Sequence, residues 1–453
     1  MSRCSSRISV ALLVALIAAS CGNSGDDGGS GNAAPATNVE IADPEERDTF
    51  VALDQPGVTD DEIRFASITT TSGNPLGTNI GGAYNAGIQA YFDYRNDEGG
   101  IYGRDLVLAE QRDDELGSND REAVAVASED SAFGVFVATL LFTGAATLDE
   151  AGIPTFGWNI HAEFADKPSL FGHVAPSCPD CFARVVPYVA RESGATTVGV
   201  LAYGTSENSR GCAEAQRDSI EHFSGDIGGI EVGFFDNDLA FGLPNGLAAE
   251  VSAMKEAGVD FISTCMDLNG MQTLGEELRR QEMDVDMYHP NTYNAEFVAG
   301  NAEIFEGDVM VPQFVPFETP LDSPLRDAFF EYAGALDAAD EELAMIGWLN
   351  AHLAFTGLLA AGPEFDRATV IGALRSLEDY DADGISVPID WDRQLAIPTN
   401  DTPEVDYEQE CFSAVRVVDG EFEPFNQESS EPFLCWPMPR DTWSEPVPTG
   451  AVP

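Results

Sequence analysis

Residues 96–108, with the sequence NDEGGIYGRDLVL, carry the local signal that decides the fold. In the preceding segment 79–98, apolar residues recur at helical spacing, which predicts a helix. Gly99 and Gly100 can end this helix in the left-handed backbone conformation, and 106–108 then begins a buried strand. The stretch therefore predicts a helix, a tight turn and a strand in direct succession.

The rest of the chain repeats this alternation in both directions. Predicted strands are 63–68, 106–108, 133–137, 154–157, 197–201, 230–235, 260–263 and 308–311. Predicted helices are 79–98, 118–129, 143–151, 182–192, 209–223, 247–257, 269–281, 323–336, 342–359 and 366–376. Continuous apolar strands between amphipathic helices are typical of parallel sheets covered on both faces. Because the pattern restarts near residue 182, we expect an α/β fold of two doubly wound, Rossmann-like lobes with a ligand cleft between them. The remainder, after 376, is β-like and rich in turns.

The N-terminus predicts export. A basic start and an apolar run at 8–19, too short to span a membrane, are typical of a cleaved signal. The end of this signal, Ala18-Ala19-Ser20-Cys21, resembles a bacterial lipoprotein lipobox, in which Cys21 becomes the lipidated first residue. An ordinary secretory signal is the alternative. Residues 21–56, rich in Gly, Ser, Asn and Asp, predict a flexible linker, and no later stretch reads as a membrane span.

Composition excludes several partners. The 453 residues carry 22 Lys and Arg against 78 Asp and Glu, a net charge of −56. We expect no nucleic-acid partner, because a protein that binds nucleic acid needs basic patches on its surface. With 44% hydrophobic residues the chain is nevertheless that of a folded protein, long enough for two domains. We expect a monomer that needs no cofactor and no metal.

Six cysteines remain beyond the signal and Cys21. An even number in an exported chain favours disulfides. Sequence proximity suggests the pairs Cys178–Cys181 and Cys411–Cys435, which leaves Cys212–Cys265. The Cys178-Pro-Asp-Cys181 spacing is also compatible with a redox pair or half a metal site, but no second such motif completes a zinc site.

Several motifs resemble a known family. The first of these motifs is the segment 96–108. The others are the strand EIRFASI, the turn Pro75-Leu76-Gly77, the pair Asp113-Asp114, EAGIP at 150–154 and GATTV at 194–198. Together they resemble type I periplasmic binding proteins, and within them the leucine/isoleucine/valine-binding group of ABC transporter substrate-binding lipoproteins. The likeness covers residues 57–395.

The resemblance implies two lobes joined by three hinge crossings, near 174–178, 311–315 and 385–389. Lobe 1 would comprise 57–176 and 314–385, and lobe 2 would comprise 177–313 and 386–453 with a C-terminal β-rich extension. The implied function is an extracytoplasmic receptor that closes on a small solute, such as an amino acid, an amide or urea-like compound or an aromatic acid. It would then dock on an ABC permease in the membrane, held near it by the lipid anchor.

The resemblance also implies where the solute binds. In lobe 1 it points to the turn with Leu76 and to two loops at strand ends, 138–143 and 157–161. The lobe 1 candidates are Leu76, Thr139, Phe142, Thr143, Trp158, Asn159 and His161, with Trp158 and Phe142 as an apolar wall. Helix starts at such loops can cradle a carboxylate. For Thr143 a plain helix N-cap is the alternative.

In lobe 2 the resemblance points to three loops that end strands. The lobe 2 candidates are Tyr203, Asn208, Asp267, Asn291 and Tyr293. Amino-acid receptors of this group place a carboxylate near Asn291, and an Asn there weakens the case for an aliphatic amino acid unless Glu207 or Asp267 supplies the charge. Both tyrosines could instead pack at the lobe surface.

Two other functions compete with a transport receptor. The first is an exported enzyme, which the sequence disfavours because it has no GxSxG, HExxH or GxxxxGK[ST] motif and its five His are scattered. The second is the ligand-binding component of a membrane sensor system, which uses the same fold.

Overall fold

The computed structural model describes residues 47–74, 80–174, 181–290, 293–393, 395, 409–425 and 432–448. The predicted signal, Cys21 and most of the predicted linker lie outside the described residues, as do Leu76, Cys178 and Asn291. Within the described residues the strands form three sheets.

The first sheet consists of five parallel strands. They are β1 Glu62–Thr69, β2 Asp105–Asp113, β3 Gly134–Ala138, β4 Thr155–Gly157 and β5 Leu170–Gly172. Their order is β2-β1-β3-β4-β5, and every neighbouring pair is parallel. Phenylalanines from successive strands stack through its core: Phe65 lies 5.3 Å from Phe136, Phe136 lies 5.6 Å from Phe156, and Phe156 lies 5.8 Å from Phe171. The parallel sheet predicted for the first half is confirmed, and β5 is a strand that the sequence pattern missed.

The second sheet is larger and mixed. Its strands are β6 Thr197–Tyr203, β7 Glu231–Leu239, β8 Phe261–Cys265, β9 Asp286–His289, β10 Val309–Met310, β12 Val415–Val418 and β13 Glu421–Pro424. The order is β13-β12-β10-β9-β8-β6-β7. Strands β6 to β10 are parallel, whereas β12 and β13 add an antiparallel hairpin at one edge.

A third, antiparallel sheet forms the C-terminal extension. It consists of β11 Gln409–Phe412, β14 Leu434–Pro437 and β15 Val447–Pro448. The disulfide Cys411–Cys435 joins its two longer strands. The buried Arg184 guanidinium ties this sheet to the second lobe, because its Nε donates to Glu410 Oε2 at 2.8 Å.

Helices cover the first and second sheets. They are α1 Gly81–Asp97, α2 Asn119–Glu129, α3 Ala145–Glu150, α4 Val185–Glu192, α5 Glu207–Phe223, α6 Ala248–Ala257, α7 Leu268–Arg280, α8 Ala295–Gly300, α9 Ala302–Phe305, α10 Pro324–Gly334, α11 Glu342–Ala361 and α12 Arg367–Arg375. We call the first sheet with α1–α3 and α10–α12 the first lobe, and the second sheet with α4–α9 the second lobe.

Helix α11 corrects one expectation from the sequence. Its 20 residues are long and apolar enough to cross a membrane by length and composition, although no later stretch had read as a span. Most of the helix is buried inside the first lobe, against α1. The two helices meet through small residues: a Cβ at Gly87 would overlap the carbonyl oxygen of Ala344, and one at Gly347 would overlap that of Tyr84. The apolar composition therefore belongs to a core helix.

The element order makes the chain pass between the lobes three times. The crossings lie between β5 and α4, between β10 and α10, and between α12 and β12. Hydrogen bonds join them side by side. His173 Nε2 and Gln313 Oε1 are 2.8 Å apart across the first two crossings, and Val315 N donates to Ile385 O at 2.9 Å across the last two. Three adjacent crossings can act as one hinge.

Candidate functional site

The strand order of the first sheet creates a crevice at one point. The chain leaves β1 toward β2 on one side and reaches β3 on the other, so the loops after β1 and β3 diverge between them. Ligands of open α/β sheets bind at such a switch point, at the carboxyl ends of the strands. The two loops touch, since Leu140 N donates to Thr70 Oγ1 at 3.3 Å and Thr70 N donates to Ala138 O at 3.0 Å.

Thr139 and His161 lie together in this crevice. The side chain of Thr139 is buried, and its carbonyl oxygen lies 2.8 Å from His161 Nε2. Burial lowers the pKa of His161, so the ring is neutral and its Nε2–H donates to that carbonyl. His161 thus fixes the loop after β3 to the loop after β4, which is a positioning role.

Trp158 and Asn159 follow β4 directly. Asn159 Nδ2 donates to Val174 O at 2.8 Å, which ties the loop to the first hinge crossing. Both side chains are buried, as is Thr139. Three of their polar atoms, Thr139 Oγ1, Trp158 Nε1 and Asn159 Oδ1, have no hydrogen-bond partner among the described residues. A buried polar atom without a partner costs about 1–3 kcal/mol, and such groups call for an explanation in a native structure.

Phe142 and Thr143 occupy different surroundings from those the sequence suggested. Phe142 packs in the core, with its ring 5.0 Å from that of Phe164. Phe142 therefore anchors the loop after β3 to the core. Thr143 is exposed, and the N-cap of α3 is Gly144, whose N–H donates to Asn119 Oδ1 at 2.8 Å. The alternative that Thr143 is a plain helix cap is wrong, because the helix begins one residue later than that role requires.

In the second lobe, two of the predicted residues are in contact. Tyr203 ends β6 and Asp267 follows β8, and these neighbouring strands flank the switch point of the second sheet. Tyr203 Oη donates to Asp267 Oδ1 at 2.8 Å, and burial raises the pKa of Tyr203 so that it stays protonated. Asp267 also caps α7 by accepting from Asn269 N and Gly270 N at 3.2 and 3.3 Å. A Cβ at Gly270 would overlap the Tyr203 hydroxyl, so the pair requires Gly there.

Ser209 holds these strand ends together, although it was not among the predicted site residues. Its Oγ donates to Cys265 O at 2.6 Å and accepts from Tyr203 N at 2.9 Å. The disulfide Cys212–Cys265 lies beside it and joins α5 to the end of β8. Asn208, in the first turn of α5, is half-buried next to this linkage. No sequence signal marks Ser209, because a serine in a first helical turn is ordinary.

The disulfides agree with sequence proximity where they are described. Cys212–Cys265 and Cys411–Cys435 are both present. Cys181 is disulfide-bonded as well, which argues against a free thiol ligand there. Among the described residues, no group of three His, Cys, Asp or Glu could hold a metal ion.

Tyr293 lies in a contact between the lobes. Its hydroxyl donates to Glu318 Oε2 at 2.6 Å, and its N–H donates to Glu342 Oε2 at 3.2 Å. The ring stacks on Phe422 at 4.9 Å. Beside it, Asn294 Nδ2 donates to Glu341 Oε2 at 3.1 Å. The side chain is thus buried by packing, as the alternative reading of this tyrosine expected.

Glu342 is the most perturbed acid of this contact. Glu342 is the first residue of α11 and its side chain is buried, which raises its pKa to about 8. The Tyr293 N–H bond opposes this shift, and the neighbouring Glu341 adds to it. Burial also raises the pKa of Glu318 and Glu341. No sequence signal marks Glu341 and Glu342, because acidic residues at a helix start are normally solvated.

Comparison with known proteins identifies the class. A family model described as periplasmic binding protein matches residues 62–407, which is more than half of the chain. The chain therefore belongs to the periplasmic binding protein family, and its fold is the two-lobed type I fold that the sequence motifs suggested. This family consists of extracytoplasmic binding proteins.

Solved structures share this fold at low sequence identity. One is the branched-chain amino acid transporter substrate-binding protein LivJ of Streptococcus pneumoniae str. Canada MDR_19A in complex with isoleucine, with a TM-score of 0.65, 16% identity, and 80% of this chain and 98% of that chain covered. Another is a periplasmic binding protein type 1 from Bordetella pertussis Tohama I, with a TM-score of 0.63, 18% identity, and coverage of 81% and 100%. A fatty acid ABC transporter substrate-binding protein from Thermomonospora curvata has a TM-score of 0.60, 16% identity, and coverage of 84% and 96%. No curated protein sequence matches this chain significantly.

Proposed function

We propose that this protein is the solute-binding receptor of an ABC importer and captures a small polar solute between its two lobes. The observation that carries the proposal is the set of unpartnered buried atoms at the switch point of the first lobe, Thr139 Oγ1, Trp158 Nε1 and Asn159 Oδ1. A solute that hydrogen-bonds to them would remove their desolvation cost. The adjacent hinge crossings supply the means of closure.

The charges around the two switch points favour a neutral polar group on the solute. The three lobe 1 atoms are one hydroxyl, one N–H donor and one amide oxygen, and none carries charge. In the second lobe, Asp267 already accepts from Tyr203 and from the start of α7. An amide, a urea-like compound, or an amino acid or aromatic acid whose carboxylate meets backbone N–H groups fits these surroundings. The related structures bind isoleucine or belong to a fatty acid transporter, so the fold itself selects none of these.

The proposal includes the cellular arrangement inferred from sequence. Lobe 1 comprises 57–176 and 314–385, and lobe 2 comprises 177–313 and 386–453. Lipid on Cys21 and the linker 21–56 hold a monomeric receptor at the membrane near its permease. A charge of −56 argues against nucleic acid as a partner.

Thermal-shift screening against amino acids, amides, ureas and aromatic acids tests the proposal. A solute that binds only the folded protein raises the melting temperature in proportion to the logarithm of its concentration over Kd. For a compound that does so, Thr139→Val should weaken binding about tenfold or more, because it leaves a solute group unpaired. Thr356→Val is the matched control, since that hydroxyl bonds within α11.

The outcomes separate the possibilities. If the Thr139→Val and Thr356→Val proteins bind the compound with equal affinity, the solute does not bind at the lobe 1 switch point. Binding without any change in uptake by a strain lacking the protein would favour the sensor role over transport. Conversion of the compound by the purified protein would show that the protein is an enzyme and would refute both the transport role and the sensor role.

A further inference from the structure

A cavity of about 310 Å³ is lined by residues of the second lobe and of the second hinge crossing, and none of the switch-point residues is among them. We call it the hinge pocket. It is lined by Ala295, Val298, Ala299, Glu318, Gly420, Glu421 and Phe422. Its walls come from α8, from the second hinge crossing and from the turn that joins β12 to β13. Cavities of this size are at the lower end of those that hold small organic molecules.

The lining of the hinge pocket consists mainly of apolar side chains and carboxylates. Four of the lining side chains are Ala, Val or Phe, and two are glutamates, while neither Lys nor Arg is among these described lining residues. The charge of Arg326 acts on Glu318 from outside the lining, but the hydrogen bonds of Arg326 run to Thr319 O at 2.7 Å and Leu321 O at 2.9 Å. An apolar pocket with carboxylates and no lining cation favours a ligand with a positive head and an apolar body.

A hydrogen bond from Tyr293 holds the Glu318 side chain in the pocket wall. Its Oε2 accepts from the Tyr293 hydroxyl at 2.6 Å, and the same hydroxyl accepts from Phe317 N at 2.7 Å. The carboxylate therefore has a fixed place between the second crossing and α8. Burial raises its pKa, and a bound ammonium would offset that cost by pairing with the charged form.

We propose that the hinge pocket is a second small-molecule site, which binds a primary ammonium ion carried on a short apolar body. The ammonium pairs with Glu318, and the apolar body packs against Val298, Ala299 and Phe422. Because the pocket joins the second lobe to a hinge crossing, its occupant contacts both parts. This site is separate from the solute site of the proposed function and does not depend on it.

Benzylamine is the probe, and benzyl alcohol of the same shape is the uncharged control. Titration of the full-length protein by isothermal calorimetry should show benzylamine binding at least about tenfold more tightly than benzyl alcohol. Glu318→Gln should abolish this preference while Tyr293 keeps its hydrogen bond to the amide oxygen. Glu423→Gln is the matched control, because that exposed side chain lies on β13 outside the pocket lining.

A second variant tests the place of binding. Ala299→Phe adds a ring from an exposed position of α8 and should block benzylamine without disturbing the core. Benzylamine binding that is unchanged in both Glu318→Gln and Ala299→Phe would overturn the proposal, as would a failure of benzylamine to bind at millimolar concentration. Binding lost only in Thr139→Val would place the amine in the solute site instead, and would also overturn it.

Discussion

The contact between Tyr293 and Glu342 predicts a stability that falls as pH rises. Burial raises the pKa of Glu342 from 4.5 to about 8, so the folded protein favours the neutral carboxyl. Below the unfolded pKa both states are protonated and the stabilisation of the folded state is complete. Between 4.5 and 8 the folded state binds the additional proton, and stability is lost at up to about 1.4 kcal/mol per pH unit. Above pH 8 this contribution is exhausted.

Glu342→Gln should remove most of this slope. The amide oxygen can keep the bond from Tyr293 N, and its NH₂ replaces Oε1, which has no partner among the described residues. The uncharged side chain imitates the protonated acid at every pH. From the linkage relation, the variant should gain about 3 kcal/mol in unfolding free energy relative to the wild type between pH 4.5 and pH 7.

Urea unfolding of both proteins at pH 5, 6, 7 and 8 measures the difference directly. Glu331→Gln, which changes the same charge on an exposed position of α10, serves as the control and should follow the wild type. Comparing variants at each pH cancels the titration of all other groups. If the Glu342→Gln and wild-type curves run parallel over this range, Glu342 is ionised in the folded protein and the reasoning fails.

Three further predictions test the packing, the strand ends and the anchor. Gly87→Ala should cost about 1–3 kcal/mol or more, because its Cβ overlaps the carbonyl of Ala344, whereas Gly372→Ala, with open space around it, should be neutral or stabilising in thermal melts. Equal melting temperatures would contradict the close helix contact. Ser209→Ala leaves two backbone groups unpaired and should cost about 1–3 kcal/mol in urea unfolding; no change would show that the linkage is dispensable. Cys21→Ala should release a folded protein of unchanged melting temperature into the medium, and retention in the membrane fraction would refute the lipid anchor.

The fold was largely predictable because its signals are local. The helix expected at 79–98 is α1 at Gly81–Asp97, and the strand expected at 63–68 is β1 at Glu62–Thr69. The missed strands β5 and β9 have three and four residues. Runs this short carry little periodicity, so a strand can be missed, and pairing with its neighbours is what defines it.

The sequence predicted which segments contain the candidate residues, but it did not predict which of these residues are in contact. Tyr203 and Asp267 were both candidates, yet they are 64 positions apart and meet only because β6 and β8 are adjacent in the sheet. Strand order is a tertiary property that periodicity does not encode. The same reason hid Glu342, since its burial depends on a second-lobe segment that packs over the start of α11.

The described loops are held in place by contacts of their own, which bears on how binding energy would be used in the proposed function. In the first lobe, the neutral His161 ring joins the loops after β3 and β4 at Thr139 O. In the second, Ser209 and the disulfide Cys212–Cys265 fix the ends of β6 and β8. A solute therefore has little loop ordering to offset, and more of its interaction energy is available to favour the closed arrangement of the lobes. In the proposed function, closure would depend on rotation at the hinge crossings, where Tyr293 joins the buried Glu342 and the half-buried Glu318.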